Sequence, residues 1–257
     1  MTDLFHWLLP DQLSLAVSLF LIAASFVTSA LTAAVGLGGG IALIAVMANL
    51  MPGAALVPVH GVVQFGSNAG RALVQWRHVD RVIWLWFAVG AALGAALGGA
   101  IAVNLPDGWL RVGIGCFVIW VIWGRPPRLG HMARQAMGIA GFLSTLLSMF
   151  FGAAGPIGGS VLATLGLTRH QFVANQAATA LTMHIFKVLA FGALGFAFAP
   201  WAGLIILMII SGFIGTLAGS RLLGRMREET FRKGFRLVMT LLALNLLWQG
   251  TARILAG

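Results

Sequence analysis

Long runs of hydrophobic residues fill most of this chain, and short polar or glycine-rich breaks separate them. A membrane span needs about 20 consecutive apolar residues, and several runs reach that length. The pattern therefore predicts an all-α polytopic membrane protein. The predicted helices and half-helices cover residues 13–34, 41–50, 55–76, 82–105, 109–124, 135–151, 171–190, 201–220 and 237–255, with a further short piece that ends at Leu167.

One predicted helix carries a polar stripe in an otherwise apolar chain. His60, Gln64, Asn68 and Arg71 are spaced at i, i+4, i+8 and i+11, which places them on one face. Taken alone, the stripe is compatible with hydrogen bonds between helices or, for Arg71, with a side chain that snorkels to the surface. The other polar residues in predicted spans could likewise form hydrogen bonds between helices or, if charged, snorkel to the surface.

The second half of the chain repeats the plan of the first, so an internal duplication is the simplest interpretation. A shift of 116 residues (145 minus 29) pairs Ser29 with Thr145, Leu31 with Leu147, Thr32 with Ser148, Gly36 with Gly152, Ile41 with Ile157, Asn68 with His184 and Arg71 with Lys187. The predicted organisation is a first repeat over residues 1–124, a connector over 125–134 and a second repeat over 135–257.

Glycines break the first helix of each half. The breaking residues are Gly36, Gly38, Gly39 and Gly40 in the first half and Gly152, Gly155, Gly158 and Gly159 in the second. Each break precedes a piece too short to span a membrane, which predicts half-helices. The broken helix could form a hairpin that returns to its own side or cross completely, and the glycines could also serve close packing alone.

Basic residues predict the orientation in the membrane. Lys and Arg concentrate in residues 77–81, 125–134 and 221–236, whereas residues 104–107 and 191–200 contain none. By the positive-inside rule the basic loops lie in the cytoplasm, and both termini then lie outside, in the periplasm. The two polar helices would run in opposite directions, which predicts two inverted-topology repeats, each a broken helix followed by three spans.

Composition and charge narrow the function. The chain is 60% hydrophobic and 9% charged with a mean hydropathy of +0.96, which excludes a water-soluble domain. The net charge of +10 comes from the loops, so nucleic acid is not an expected partner. All six acidic residues fall in the terminus or in predicted loops, which argues against cation transport, because such carriers usually keep an intramembrane carboxylate.

An anion is the substrate that suits the remaining polar residues, since buried cations and helix N-termini both attract anions. The candidate substrate-binding residues are His60, Gln64, Asn68, Arg71, Asn175, Gln176, Thr179, His184 and Lys187. A histidine could carry a coupling proton. No motif of a soluble enzyme occurs, so no catalytic residue, metal ligand or cofactor is predicted.

Two further features concern packing. Gly90, Gly94 and Gly98 recur at every fourth residue, which favours close helix packing within the chain and, less often, in a homodimer. Arg111 lies near the start of a short predicted helix and could snorkel to the surface.

Several of these motifs together resemble the sulfite exporter TauE/SafE family of bacterial membrane proteins. The motifs are Gly36-Leu-Gly-Gly-Gly40, the stretch from Pro58 to Arg71 with the trailing Arg77-His-Val-Asp80, and Gly155-Pro-Ile-Gly-Gly159. The resemblance covers nearly the whole chain. It implies export of sulfite or small organosulfonates across the bacterial inner membrane. An anion channel, and a membrane enzyme or scaffold subunit without transport, are the alternatives.

Overall fold

The computed structural model describes residues 9–35, 38–102, 104–124, 130–222 and 228–256. In these ranges the chain is all-α, as predicted. Its ten helices are α1 (Leu15–Val35), α2 (Gly39–Leu50), α3 (Gly53–Val74), α4 (Arg81–Ala102), α5 (Asp107–Trp123), α6 (Ala136–Phe151), α7 (Gly155–Leu162), α8 (Arg169–Ala193), α9 (Ala202–Leu222) and α10 (Glu228–Ala256). Short 3-10 turns lie at Trp76–His78 and Ala199–Trp201.

Several predicted boundaries differ from the structure, among them the end of α7, which is Leu162 rather than Leu167. The half-helix α2 begins at Gly39, within the glycine run, rather than at residue 41. The last helix begins at Glu228 rather than at residue 237, so part of the predicted basic loop is helical. A hydropathy pattern marks only the apolar part of a helix, and a helix can continue beyond it into water. The predicted break at Gly36 and residues 125–129 of the connector lie outside the described residues.

Helix boundaries recur between the two halves at the shift found in the sequence. The shift of 116 residues (151 minus 35) carries Val35, which ends α1, to Phe151, which ends α6. It also carries Gly39 to Gly155, which begin α2 and α7. The first residue of α3, Gly53, likewise falls on the first residue of α8, Arg169.

The helices pack in pairs that cross between the halves. The first helix of each half packs on the fourth helix of the other half, as α1 with α9 and α6 with α4. The third helices, α3 and α8, pack on each other, and so do the fifth helices, α5 and α10. Exchange of the two halves leaves this set of pairs unchanged, which is the packing that two related repeats produce.

Contacts between corresponding helices also give their relative direction. His78, just after α3, lies against His170 at the start of α8, with ring centroids 5.6 Å apart. At the end of α5, Trp123 donates a hydrogen bond to Thr240, early in α10, while Gly108 at the start of α5 faces Ile254. Both pairs of corresponding helices are therefore antiparallel.

The glycine stripe on α4 is used inside the chain. A Cβ on Gly90 or Gly94 would run into the backbone of Gly138 or Phe142 on α6, and one on Gly98 would meet Met149. The two helices approach so closely because these positions lack side chains. Packing within the chain, the commoner of the two predicted uses, is therefore the observed one.

Apolar side chains cover the outside of the bundle. In the described part of the chain, four helical segments are long and apolar enough to cross a membrane, residues 15–33, 81–102, 199–219 and 233–256. Large hydrophobic residues such as Leu93, Phe213 and Leu241 are exposed on them. Polar residues on α3 and α8 are buried instead, including His60, Asn68 and His184. An apolar surface around a polar interior suits a bilayer rather than water.

Candidate functional site

The polar helices α3 and α8 meet at His60 and His184. The ring centroids of these two buried histidines are 6.1 Å apart, and the rings meet edge to face at 68°. The side chain of Lys187 passes over Gly61, where an added Cβ would lie 3.0 Å from Lys187 Cδ. The absence of a side chain at Gly61 therefore lets the lysine reach the region between the helices.

Lys187 is a fully buried cation with a single described partner. Its Nζ donates a 2.6 Å hydrogen bond to the carbonyl oxygen of Gly152, and its side chain is 0% exposed. Gly152 ends α6 with a φ of 75°, a conformation that favours glycine. An ammonium has three donors, and among the described residues it has neither a second hydrogen bond nor a carboxylate partner. The Lys187 amine thus has donor capacity that no described residue uses.

The stripe on α3 forms a ladder of hydrogen bonds. Arg71 Nη2 donates to Asn68 Oδ1 at 2.8 Å, and Asn68 Nδ2 donates to the carbonyl oxygen of Gln64 at 2.7 Å. These contacts put the three side chains on one face of the helix, as the spacing predicts. Arg71 Nε is buried without a partner, so part of its donor capacity is unused.

Each half-helix contacts the polar helix of its own half. His60 Nε2 lies 3.0 Å from the carbonyl oxygen of Gly40, to which it donates, because a carbonyl can only accept. At the corresponding position of the second half, Gln176 Nε2 donates to Gly155 at 3.5 Å. His60 Nδ1, His184 Nδ1 and Gln176 Oε1 are buried without partners. The glycine breaks and the polar helices therefore form one region.

Two predicted site residues are engaged with neighbouring backbone. Asn175 Oδ1 accepts the N–H of Asp80 at 3.1 Å, and its Nδ2 donates to Gln171 at 2.8 Å. Thr179 Oγ1 donates to the carbonyl oxygen of Asn175 at 2.8 Å. Asn175 thus joins α8 to the start of α4. Contact of either residue with a substrate stays a prediction.

Asp80 and Arg134 form an ion pair outside the spans. Asp80 Oδ1 accepts the N–H groups of Val82 at 2.9 Å and Ile83 at 3.3 Å, which caps α4, and Oδ2 accepts from Arg134 at 2.7 Å. Burial raises the pKa of the Asp80 carboxyl, but the hydrogen bonds and the charge of Arg134 outweigh it. The pKa of Asp80 therefore lies below its ordinary value.

Arg111 contradicts the snorkelling hypothesis. It is buried, at 3% exposure, and donates to the carbonyl oxygens of Ala48 and Met51 at the end of α2. Its Nε also donates to Asp107 at 2.9 Å. The α2 carbonyls that lack helical partners are close enough to hold the guanidinium inside. Arg111 thus caps the half-helix.

Two buried serines on α6 were not among the predicted site residues. Ser144 and Ser148 are buried, and Ser148 Oγ donates at 3.3 Å to the same Gly152 carbonyl that Lys187 contacts. Ser144 Oγ has no partner. Their i, i+4 spacing in an apolar helix was the available signal, but most helical hydroxyls bond their own backbone.

Two cavities lie towards opposite ends of the bundle. The basic end is defined here as the end that carries Arg77, Arg81, Arg134 and Arg169. A cavity of about 520 Å³ at the basic end is lined by residues of α5, α6 and α7, among them Trp120, Ala136 and Pro156. A second of about 340 Å³ lies at the opposite end, beside Gly53 and Asp107. The two cavities therefore approach the interior of the bundle from opposite ends.

Within the described residues, His, Cys, Asp and Glu nowhere gather in groups of three or more that could hold a metal ion. His60 and His184 have no third such neighbour in that part of the chain. Lys187 Nζ and Arg71 Nε contribute spare N–H donors to this region, which suit an anion better than a cation.

The bundle of apolar helices around a polar interior is that of a multi-pass membrane protein. The chain belongs to the sulfite exporter TauE/SafE family, whose model matches residues 21–246. It is accordingly a member of a membrane transporter family. No curated protein and no solved structure matches the chain.

Proposed function

We propose that this protein is a secondary transporter that exports a small oxyanion of the sulfite or organosulfonate class across the bacterial inner membrane by alternating access. The observation that carries the proposal is the buried ammonium of Lys187 beside His60 and His184, without a carboxylate partner among the described residues. A bound anion would neutralise this charge. Family membership supports the same substrate class.

The energetics favour a partner that arrives and leaves. A cation at the centre of a bilayer costs about 2.5–3.5 kcal/mol on insertion scales. A permanent carboxylate would remove this cost and also the attraction for a substrate. Arg71, with a buried Nε that has no partner, extends the positive region along α3. The site therefore attracts anions and repels cations.

Alternating access requires a route from each side to one site. The two cavities at opposite ends of the bundle are candidates for these routes. The antiparallel packing of α3 with α8 and of α5 with α10 supports inverted repeats, an architecture in which one repeat can rock against the other. With the basic end in the cytoplasm, both termini would lie in the periplasm.

Flux into proteoliposomes tests the proposal. Purified protein should accumulate labelled sulfite or sulfoacetate, with saturation and with counterflow against unlabelled substrate. A channel, the alternative, would conduct without counterflow and would give single-channel currents. Absence of flux and of anion binding in the wild type would refute a transport function.

Coupling to protons is part of the proposal, with His60 or His184 as the carrier. An imposed pH gradient should then drive sulfite accumulation, and His60→Gln or His184→Gln should remove the dependence on the gradient. Flux that ignores the gradient in the wild type would refute coupling while leaving transport intact.

A C-terminal reporter fusion tests the orientation. The enzyme alkaline phosphatase is active only outside the cytoplasm, so a fusion after residue 257 should be active in cells. A cytoplasmic C-terminus would contradict the inverted arrangement.

A further inference from the structure

Two serines of the second half lie between the half-helix α7 and the buried lysine. Ser144 is 1% exposed, and its Oγ lies 3.6 Å from where a Cβ on Gly158 of α7 would be. Ser148, one turn later on α6, shares the carbonyl oxygen of Gly152 with Lys187. The hydroxyls therefore follow the face of α6 that turns towards α7 and Lys187.

The unpartnered groups of this region lie on two helices, α6 and α8, that run in the same direction. Both α6 and α8 run in the direction of α4, because Gly90 and Gly94 meet Gly138 and Phe142 in order, and residues 80 and 84 bond residues 175 and 182 in order. The helices α6 and α8 also contact each other. His184 precedes Lys187 by about one turn, as Ser144 precedes Ser148. Each unpartnered atom, Ser144 Oγ or His184 Nδ1, thus belongs to a residue that lies about one turn before the residue of its own helix that contacts Gly152.

The corresponding hydroxyls of the first half already have hydrogen-bond partners. The shift of 116 residues (144 minus 28) relates Ser144 to Thr28 and Ser148 to Thr32. Both threonines bond their own helix, since Thr28 Oγ1 donates to Ala24 at 2.8 Å and Thr32 Oγ1 to Thr28 at 2.9 Å. At Gly39, an added Cβ would run into Thr32 Oγ1 and the carbonyl oxygen of Thr28. The start of α2 therefore packs directly against α1.

The break in the second half leaves more room. A Cβ on Gly158 would meet its nearest neighbour at 3.5 Å, and one on Gly155 at 3.7 Å, which are ordinary contacts. Buried hydroxyls normally find a partner, so the unpartnered Oγ of Ser144 indicates a missing acceptor. A bound water could accept one hydrogen bond, but it would not neutralise the adjacent ammonium.

We propose that the anion is held in the second half, with Ser144, His184 and Lys187 as its hydrogen-bond donors, and that the break in the first half is structural. Ser148 joins them when its hydroxyl turns from the Gly152 carbonyl to the anion and leaves that carbonyl to Lys187. The inference rests on the proposed function and names the binding set of that site. Two hydroxyls, an ammonium and an imidazole N–H match an anion with three oxygens, such as sulfite or a sulfonate. A spherical halide would use fewer of these donors.

Matched substitutions in the two halves test the assignment. Ser144→Ala and Ser148→Ala should each raise the Kd for sulfite about tenfold or more, which is the usual loss of affinity for one hydrogen bond to a charged group. The melting temperature of Ser144→Ala without anion should stay the same or rise, because the substitution removes an unpartnered buried hydroxyl. The controls Thr28→Val and Thr32→Val should bind sulfite as the wild type does. Kd comes from calorimetric titration of sulfite into purified protein, with chloride as the matched salt.

The outcomes separate this assignment from the function as a whole. Wild-type affinity in both serine variants, or equal weakening in the threonine variants, overturns the assignment but leaves anion transport standing. A wild-type protein that binds neither sulfite nor a sulfonate refutes the proposed function itself. Weakened binding by the serine variants, with intact melting temperatures and intact threonine controls, supports the assignment.

Discussion

Replacement of Lys187 by methionine separates the binding role of its charge from its role in packing. Methionine is similar in length and apolar, so it can follow the same path over Gly61. The change removes a buried cation, whose cost is about 2.5–3.5 kcal/mol on insertion scales. It also removes one hydrogen bond to a charged group, worth about 1.5–3 kcal/mol. The two terms nearly cancel, so the stability of the anion-free protein should change little.

The Gly152 carbonyl keeps a second donor in this variant. Ser148 Oγ lies 3.3 Å from that oxygen, so Lys187→Met does not leave the carbonyl without a partner. Affinity for an anion should fall instead. Loss of one charged hydrogen bond, about 1.5–3 kcal/mol, corresponds to a Kd for sulfite that is roughly 10 to 150 times higher.

The chain offers a matched control, because its only other lysine is Lys233. Lys233 is exposed near the start of α10, and Lys233→Met should leave both stability and affinity unchanged. Melting temperatures measured with and without sulfite report both quantities, since a ligand that binds the folded state raises the apparent stability. A Lys187→Met protein that binds sulfite like the wild type would refute the reasoning. So would equal losses in the two lysine variants.

Three further predictions concern the scaffold around the site. Arg111→Ala should lower the free energy of unfolding by about 1–3 kcal/mol, because the carbonyl oxygens of Ala48 and Met51 lose their donor; an unchanged stability in denaturant titrations would contradict the capping role. Gly94→Ala should cost about 1–3 kcal/mol through overpacking against α6, whereas Gly234→Ala, with open space around it, should be neutral or stabilising. Because the pKa of Asp80 is lowered in the folded state, its stabilising effect is present above the unfolded pKa and is lost as the pH falls through the folded pKa. The difference in melting temperature between the wild type and Asp80→Asn should therefore shrink below about pH 4, and a gap independent of pH would argue against the ion pair.

Side chains that serve the backbone of another element were the hardest to predict. Arg111 has the sequence context of a snorkelling residue, and only the position of the α2 end, about 60 residues earlier in the chain, keeps it inside. Asn175 fits the same polar pattern as Gln176, yet it bonds the backbone of Asp80, which lies far away in sequence. Local patterns carry no information about such distant partners.

The sequence by itself determined the class of protein, because about 20 apolar residues in succession have no stable place except a bilayer or a core. It also determined the polar face of α3, since helical periodicity puts His60 and Arg71 on one side regardless of the neighbours. The halves and their boundaries followed from self-similarity at a fixed shift. These features depend only on spacing and composition along the chain.

Only the tertiary structure decided which buried polar groups have partners. Ser144 and Thr28 occupy matching positions in the two halves, yet one hydroxyl bonds its own helix and the other has no partner. The start of α2 at Gly39 lies directly against the backbone of α1, whereas the start of α7 at Gly155 makes only ordinary contacts. Whether a hydroxyl bonds its own helix or remains available to a ligand depends on packing distances of a few tenths of an ångström, which the order of residues does not encode locally.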